Sequence, residues 1–433
     1  MFKTHLKIEN IKTKISQSSL AKDSFWAVFG NGMGNALLLV AGIIIARFLG
    51  KDVYGEYGFV KSTMFYIASF ASMGLGFTTT KFIAQLGGDS PQYMKSVIKD
   101  SLILTLCFSG AIALILICFA TSFANLVKEP SLKLAFQLLA IIIVFRALTT
   151  TQIGLLAGFK EFKQIAINSL LSGLFMLIIC VPLTYYLGLK GSLCALLLSQ
   201  LFNTIINLFS INRVSKHLGP QENKSFKMEL FKFSFPVALQ ESSYLISHWG
   251  AIMLLTIYSS IGEVGLYTAT AQWNSIIMMI PGLLNNVVLS YLSSSVKETG
   301  QHQRTIVTML SVNFVSTLVP FLLVFLLAGF ISTFYGPTFS EMPNVMRLLT
   351  FATIFECCSQ VFKSELLAQS RVWLLFSIRL VRDILLIASL YVFLRSNNGE
   401  NGAMIFSLCN VVTAALFFIS LLVSYLILKK KQS

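Results

Sequence analysis

Arg146 interrupts the run Leu138–Gly158, "LLAIIIVFRALTTTQIGLLAG", which is otherwise apolar apart from three threonines and a glutamine. A guanidinium stays charged in any surroundings, and its planar fork matches pairs of phosphate or carboxylate oxygens. Arg146 lies more than ten residues from either end of the expected span 133–157, so it cannot reach a membrane surface easily. Thr149, Thr150 and Thr151 follow on the next turn. They either add hydroxyls to the same site or bond back to their own helix. Arg47, Lys61 and Lys81 are the other cations embedded in apolar stretches of the first half, and no acid accompanies them there. Four cations without counter-charges suit an anionic ligand such as a diphosphate or an acidic sugar. For Arg47, Lys61 and Lys81, which lie nearer the ends of their stretches, reaching to the membrane surface is the competing reading.

The second half mixes signs. Arg347, Lys363, Arg379 and Arg382 share it with Glu241, Glu356, Glu365 and Asp383. A charge in mid-membrane costs roughly 2.5–3.5 kcal/mol on insertion scales, so each needs a partner or a wet cavity. Arg379 and Asp383 are four residues apart on one helix face and are expected to pair, leaving Arg382 over. Glu241 and Glu356 are either members of structural ion pairs or exchange sites for proton or Na+ coupling. The four histidines form no ligand set, and the seven cysteines show no pairing or metal spacing. No catalytic residue, resident metal or cofactor is expected. "GNGMGN" (Gly30–Asn35) lacks the strand and spacing of a dinucleotide fingerprint. Its glycines instead offer a small-xxx-small face for close helix packing.

These residues must be positioned by helices in a membrane. Of 433 residues, 55% are hydrophobic and 12% charged, with mean hydropathy +0.76; soluble domains carry about 25% charged residues. Hydropathy and turn signals give twelve spans: 25–49, 57–86, 98–122, 133–157, 165–187 and 191–211, then 235–259, 266–294, 306–329, 343–367, 372–394 and 402–428. The corresponding organisation is a basic segment 1–24, a first lobe 25–211, a linker 212–234, a second lobe 235–428 and a basic tail 429–433. Residues 1–24 are read either as a basic amphipathic helix on the membrane surface or as a loose cytoplasmic tail. Twenty lysines and arginines flank the spans on one side and five on the other, which places both termini and the linker in the cytoplasm. The +15 net charge is thus largely topogenic and calls for no nucleic acid.

The halves also repeat. Gly55-Glu56-Tyr57 matches Gly265-Leu266-Tyr267 at an offset of 210, and Leu155-Leu156-Ala157 matches Leu366-Leu367-Ala368 at 211. Six spans repeated in the same orientation imply two lobes related by an axis along the membrane normal, with a transport site between them.

"ARFLGKDVYGEYGFVKS" (Ala46–Ser62) resembles the end of the first span in polysaccharide-repeat flippases, the Wzx-type exporters of O-antigen and capsule units. Arg47, Leu49, Gly50, Tyr54, Gly55 and Tyr57 carry the match. "GLLAGFKEFK", "FSFPVALQ" and "VGLYTAT" resemble later segments of the same family, while Ser290-Tyr291 stand where it often has a proline. The resemblance implies an all-α, MATE-like V of two six-helix bundles, in the multidrug/oligosaccharidyl-lipid/polysaccharide (MOP) exporter superfamily. It implies no enzyme but a flippase of the bacterial inner membrane. That flippase moves undecaprenyl-diphosphate-linked oligosaccharides to the periplasmic leaflet by alternating access, with Arg146, Lys81, Lys61 and Arg47 on the head-group path. A polysaccharide polymerase and a chain-length regulator are the implied partners, beside membrane lipid. Two alternatives stay open: a cation-coupled multidrug antiporter of the same superfamily, and a membrane polysaccharide polymerase or ligase.

Overall fold

The computed structural model describes residues 2–126, 132–216, 218, 222, 224–279, 281–282, 299–369 and 371–432. Twelve helices are described: α1 Phe2–Ala71, α2 Leu75–Asp89, α3 Met94–Cys118, α4 Ala120–Leu126, α5 Leu132–Gly158, α6 Phe162–Lys216, α7 Lys227–Tyr258, α8 Ile261–Ile277, α9 Thr299–Tyr335, α10 Met342–Ala368, α11 Val372–Ser396 and α12 Gly402–Gln432. Seven of the described helices are long and apolar enough to cross a membrane by length and composition; α6 holds two expected spans, and α1 holds the first and the start of the second. Even the charged α11, at 25 residues, is about 37 Å long, more than the roughly 30 Å of a hydrocarbon core.

Glycine makes the two longest helices double back. Gly50 (φ 73°) bends α1 between the first and second spans, and Gly188 (φ 57°) bends α6 between the fifth and sixth. Both are left-handed conformations that cost a glycine little. The second span departs from expectation. It is not one helix over 57–86: α1 stops at Ala71, Met73 and Gly74 take positive φ, and α2 restarts at Leu75. In the second half, α8 stops at Ile277, four residues short of Pro281. Pro236 lies within the continuous helix α7. Residues 212–216 extend α6, and α7 begins at Lys227, so the stretch between these helices is shorter than the linker read from sequence. Residues 2–24 continue helically into the first span.

Two lobes result. In the first, α5 packs on α2, α3 and α6, and α1 lies against α5 and α6. In the second, α10 packs on α9 and α12, and α11 on α12 and α7. At the end farthest from the termini, one buried core runs through both lobes and includes Tyr54, Tyr57, Leu266, Tyr335 and Phe339. Toward the terminal end the cores separate. One, around Leu75, Val97, Leu155 and Leu230, is built mainly from the first lobe. The other, around Phe362, Leu366 and Leu421, belongs to the second. Helix α7 crosses this divide. Its start packs on the first lobe, with Phe231 stacked on Phe108 and Ser234 donating to Thr78 at 2.7 Å. Its end packs on α11, with Tyr258 edge-on to Tyr391.

Candidate functional site

Lys61 sits eleven residues past the Gly50 bend, about 16 Å along its helix. Arg146 sits fourteen residues into α5, about 21 Å from its start and roughly 18 Å from its end. Both are half-buried at mid-span, on helices that pack against each other. Neither makes a hydrogen bond, ion pair or ring contact with any described residue. Arg146 is thus deep in its helix and has no counter-charge among the described residues.

The threonines beside Arg146 serve the helices rather than the guanidinium. Thr150 donates to the Arg146 carbonyl at 3.0 Å, Thr149 pairs with Thr204 at 3.1 Å, and Thr151 pairs with Thr105 at 2.7 Å. They belong to a polar seam through the first lobe that joins α3, α5 and α6. Asn168 continues it, donating to Asn207 at 2.7 Å and to Ser210 at 3.0 Å. Such internal satisfaction lets threonine and asparagine sit in a membrane helix bundle without cost to solubility in lipid.

A cavity of about 410 Å³ adjoins this region between the end of α1, α2, α5 and α7. Phe65, Phe70, Phe77, Gly76, Thr150 and Gly154 are among its lining residues. The lining is largely apolar, and Gly76 and Gly154 let the backbones of α2 and α5 touch directly.

The four expected head-group cations do not line one described cavity. Arg47 is exposed at the far end, with its side chain against Gly336. Lys81 is exposed near the terminal end and holds its ammonium 3.8 Å above the Phe233 ring of α7. Lys61 and Arg146 occupy the depth between them. The four thus span the thickness of the first lobe in sequence rather than converging on one point.

In the second lobe, Arg382 departs from expectation. It is not left over: its Nε donates to Asp383 at 2.9 Å and its Nη2 reaches the same oxygen. Its guanidinium also lies 5.1 Å from the Phe417 ring. Arg379 and Asp383 each make further contacts as well. Glu356 lies within electrostatic reach of both Arg382 and Lys363, so it belongs to this mixed-charge cluster. The side chain of Glu241 lies outside the described residues, as do Ser290 and Tyr291. Among the described residues no group of three or more His, Cys, Asp or Glu side chains could hold a metal ion.

The seam between the lobes was only half visible in the sequence. The two glycines matched by the internal repeat, Gly55 and Gly265, touch each other through their backbones. One register step away on each side, Asp52 rests on Gly262, and Gly58 faces Thr268. Repeat-equivalent residues meeting each other is the signature of a pseudo-two-fold axis passing between them. Lys51 and Glu263 form a 3.8 Å ion pair across the same seam, and Glu263 also accepts from the Ala403 N–H at 2.8 Å. Both charges lie between the expected spans. The signal that would have drawn attention to them is their position, within four residues of the repeat-matched glycines.

A family profile described as "Polysaccharide biosynthesis protein" matches residues 20–295. A Shigella flexneri protein named for O-antigen transport is 22% identical over 407 residues, covering 92% of this chain and 96% of that one. The EPS I polysaccharide export inner membrane protein EpsE of Ralstonia solanacearum is 22% identical over 399 residues, covering 88% and 89%. A solved inward-facing conformation of a multidrug resistance MATE family transporter of the MOP superfamily superposes with a TM-score of 0.79 at 14% identity, over 92% of this chain and 96% of that one. The all-helical, two-lobed architecture is therefore a MATE-like fold.

Proposed function

Because the chain belongs to the polysaccharide biosynthesis protein family, we propose that it is a flippase for undecaprenyl-diphosphate-linked oligosaccharide repeat units. It moves them from the cytoplasmic to the periplasmic leaflet of the bacterial inner membrane, feeding assembly of O-antigen, capsule or exopolysaccharide. The observation that carries this reading is the pair Lys61 and Arg146, two mid-span cations with no acid or hydrogen-bond partner among the described residues. A cation held in low dielectric without a counter-charge is costly by itself and attractive to an anion. A diphosphate supplies the missing charge, and guanidinium holds two of its oxygens at once. The full-length polysaccharide export relatives support the same substrate class.

In this reading both termini and the 217–226 stretch face the cytoplasm, following the twenty-to-five bias of flanking cations. The far-end seam is then the periplasmic closure, and the divided cores are the cytoplasmic side. Lys81 meets the head group first, Lys61 and Arg146 hold it at mid-depth, and Arg47 receives it outside. Movement requires the lobes to rock, with affinity differing between the two states. Glu356, within reach of Arg382 and Lys363, is the group through which a proton or Na+ would be coupled. A cation-coupled drug antiporter of the same fold would need carboxylates on the substrate path. The one acid in the first-lobe spans, Asp100, stands at the start of the third and is occupied by the Phe226 N–H at 2.7 Å.

The test is surface polysaccharide in a strain lacking the protein, complemented at equal membrane abundance. Arg146→Ala is expected to abolish export or nearly so, and Arg146→Lys to retain part of it, since an ammonium keeps the charge and loses the bidentate geometry. Wild-type polysaccharide from Arg146→Ala would remove this residue from the path.

A further inference from the structure

The cavity and the two unpartnered cations share helix faces. On α1, Lys61 is followed at +4 and +8 by Phe65 and Ser69, and both line the cavity. On α5, Arg146 is followed at +4, +8 and +11 by Thr150, Gly154 and Ala157, and all three line it as well. These spacings put each series on one side of its helix. Lys61 and Arg146 therefore stand one turn beyond the cavity wall, both toward the far end of the molecule. The cavity itself is lined mainly by apolar atoms, including Phe65, Phe70 and Phe77, and its roughly 410 Å³ suits a small organic group.

We infer that this cavity seats the first isoprene units of the lipid anchor whose diphosphate meets Lys61 and Arg146. The inference rests on the flippase reading and adds a subsite to it. An apolar chamber adjoining two uncompensated cations is complementary to an amphiphile with an anionic head and a hydrocarbon tail. It is poorly matched to a free sugar phosphate, which would leave the phenylalanines uncovered, and to an uncharged lipid, which would leave the cations unpaired. The positions also fit a head group that leads and a tail that follows. The cations lie farther from the terminal end than the cavity does, so a substrate drawn in from that end carries its tail behind its charge. The interrupted second span has a role here. The break at Ser72–Gly74 removes a turn of helix next to the cavity, and Ser72 and Gly74 are part of its lining.

The test uses the full chain in lipid nanodiscs, with empty nanodiscs subtracted. The probes are inorganic diphosphate and prenyl diphosphates of one, two and three isoprene units. Wild-type protein is expected to bind inorganic diphosphate, and affinity should rise by about tenfold or more with the first units before levelling off as the cavity fills. Ser69→Leu places a branched side chain in the cavity. The Ser69 hydroxyl donates only to the Phe65 carbonyl of its own helix, so nothing else is left unpaired. This variant should lose the prenyl gain and keep its affinity for inorganic diphosphate, whereas Arg146→Ala should weaken both. The chain-length series needs no variant at all, so a poorly folding Ser69→Leu does not block the test. Prenyl diphosphates binding no tighter than inorganic diphosphate, or a full prenyl gain in a folded Ser69→Leu, would overturn the tail seat and leave the anion path standing. Wild-type protein that binds no inorganic diphosphate, or binds it as well after Arg146→Ala, would instead overturn the anion path, and the tail seat with it.

Discussion

Arg146 and Arg382 show two ways for a membrane protein to keep an arginine. Arg382 lies next to Asp383, whose side chain is 1% exposed, and the pair is packed under Phe417. Arg146 has no such neighbour among the described residues. The physical consequence differs. Removing Asp383 leaves Arg382 without its main acceptor, and breaking a buried pair costs about 3–5 kcal/mol. Asp383→Asn is therefore expected to lower the unfolding temperature of the purified protein markedly, while Asp383→Leu combined with Arg382→Met recovers most of the loss. Arg146→Ala, by contrast, removes an uncompensated charge and should leave that temperature unchanged or raise it. A scanning fluorimetry series on the three variants separates the roles; a loss at Arg146→Ala as large as that at Asp383→Asn would mean that Arg146 is structural. The depth and isolation of Arg146 were legible in the sequence, because position along an apolar run and the absence of acids are one-dimensional facts. The contact between Arg382 and Asp383 was not. Spacing of four places Arg379 on the Asp383 face, but that the adjacent Arg382 guanidinium folds back onto the same carboxylate depends on side-chain conformation, which is not written in spacing.

At the scale of elements, the seam between α1 and α8 is made from residues that repeat. Gly55 and Gly265 approach so closely that a side chain on either would strike the opposing backbone. The ion pair above them is partly exposed, 27% at Lys51 and 11% at Glu263, so its direct contribution is about 0–1 kcal/mol. Glu263 does more than its partner. It also satisfies the Ala403 N–H at the start of α12, which is buried. Losing that acceptor costs about 1–3 kcal/mol for the unsatisfied donor. Glu263→Ala should therefore destabilise the protein clearly more than Lys51→Ala, and Glu263→Gln, which keeps an acceptor oxygen, should fall between them. Equal effects from Lys51→Ala and Glu263→Ala would show that the ion pair, and not the helix start, is what Glu263 supports. The repeat offset in the sequence identified the glycines as equivalent. It could not say that they touch, because equivalence under an axis becomes contact only for residues lying on that axis.

For the whole molecule, the twelve spans and two lobes follow from hydropathy and short connections. The conformation does not, since a two-lobed chain can close at either end with the same spans. The merged core at the far end and the divided cores at the terminal end place this structure in one of those states. If transport proceeds by rocking, the far-end seam must part once per cycle, and a covalent link across it must stop export. Asp52 and Gly262 are suited to such a link, because the Asp52 carboxylate rests on the Gly262 backbone. Asp52→Cys with Gly262→Cys, built after replacing the seven native cysteines, should cross-link on mild oxidation without distorting the fold, given the short Cα separation a disulfide needs. The oxidised protein is expected to lose polysaccharide export and to regain it on reduction, while either single cysteine stays active under both conditions. Neither cysteine replaces Lys51 or Glu263, and the single variants control for the crowding that a side chain at position 262 brings to Lys51 and Asp52. Undiminished export from fully cross-linked protein would mean that the lobes need not separate at this end. The head group would then have to leave by a lateral path within the first lobe, past the same Lys61 and Arg146, and the axis between Gly55 and Gly265 would be a fixed joint.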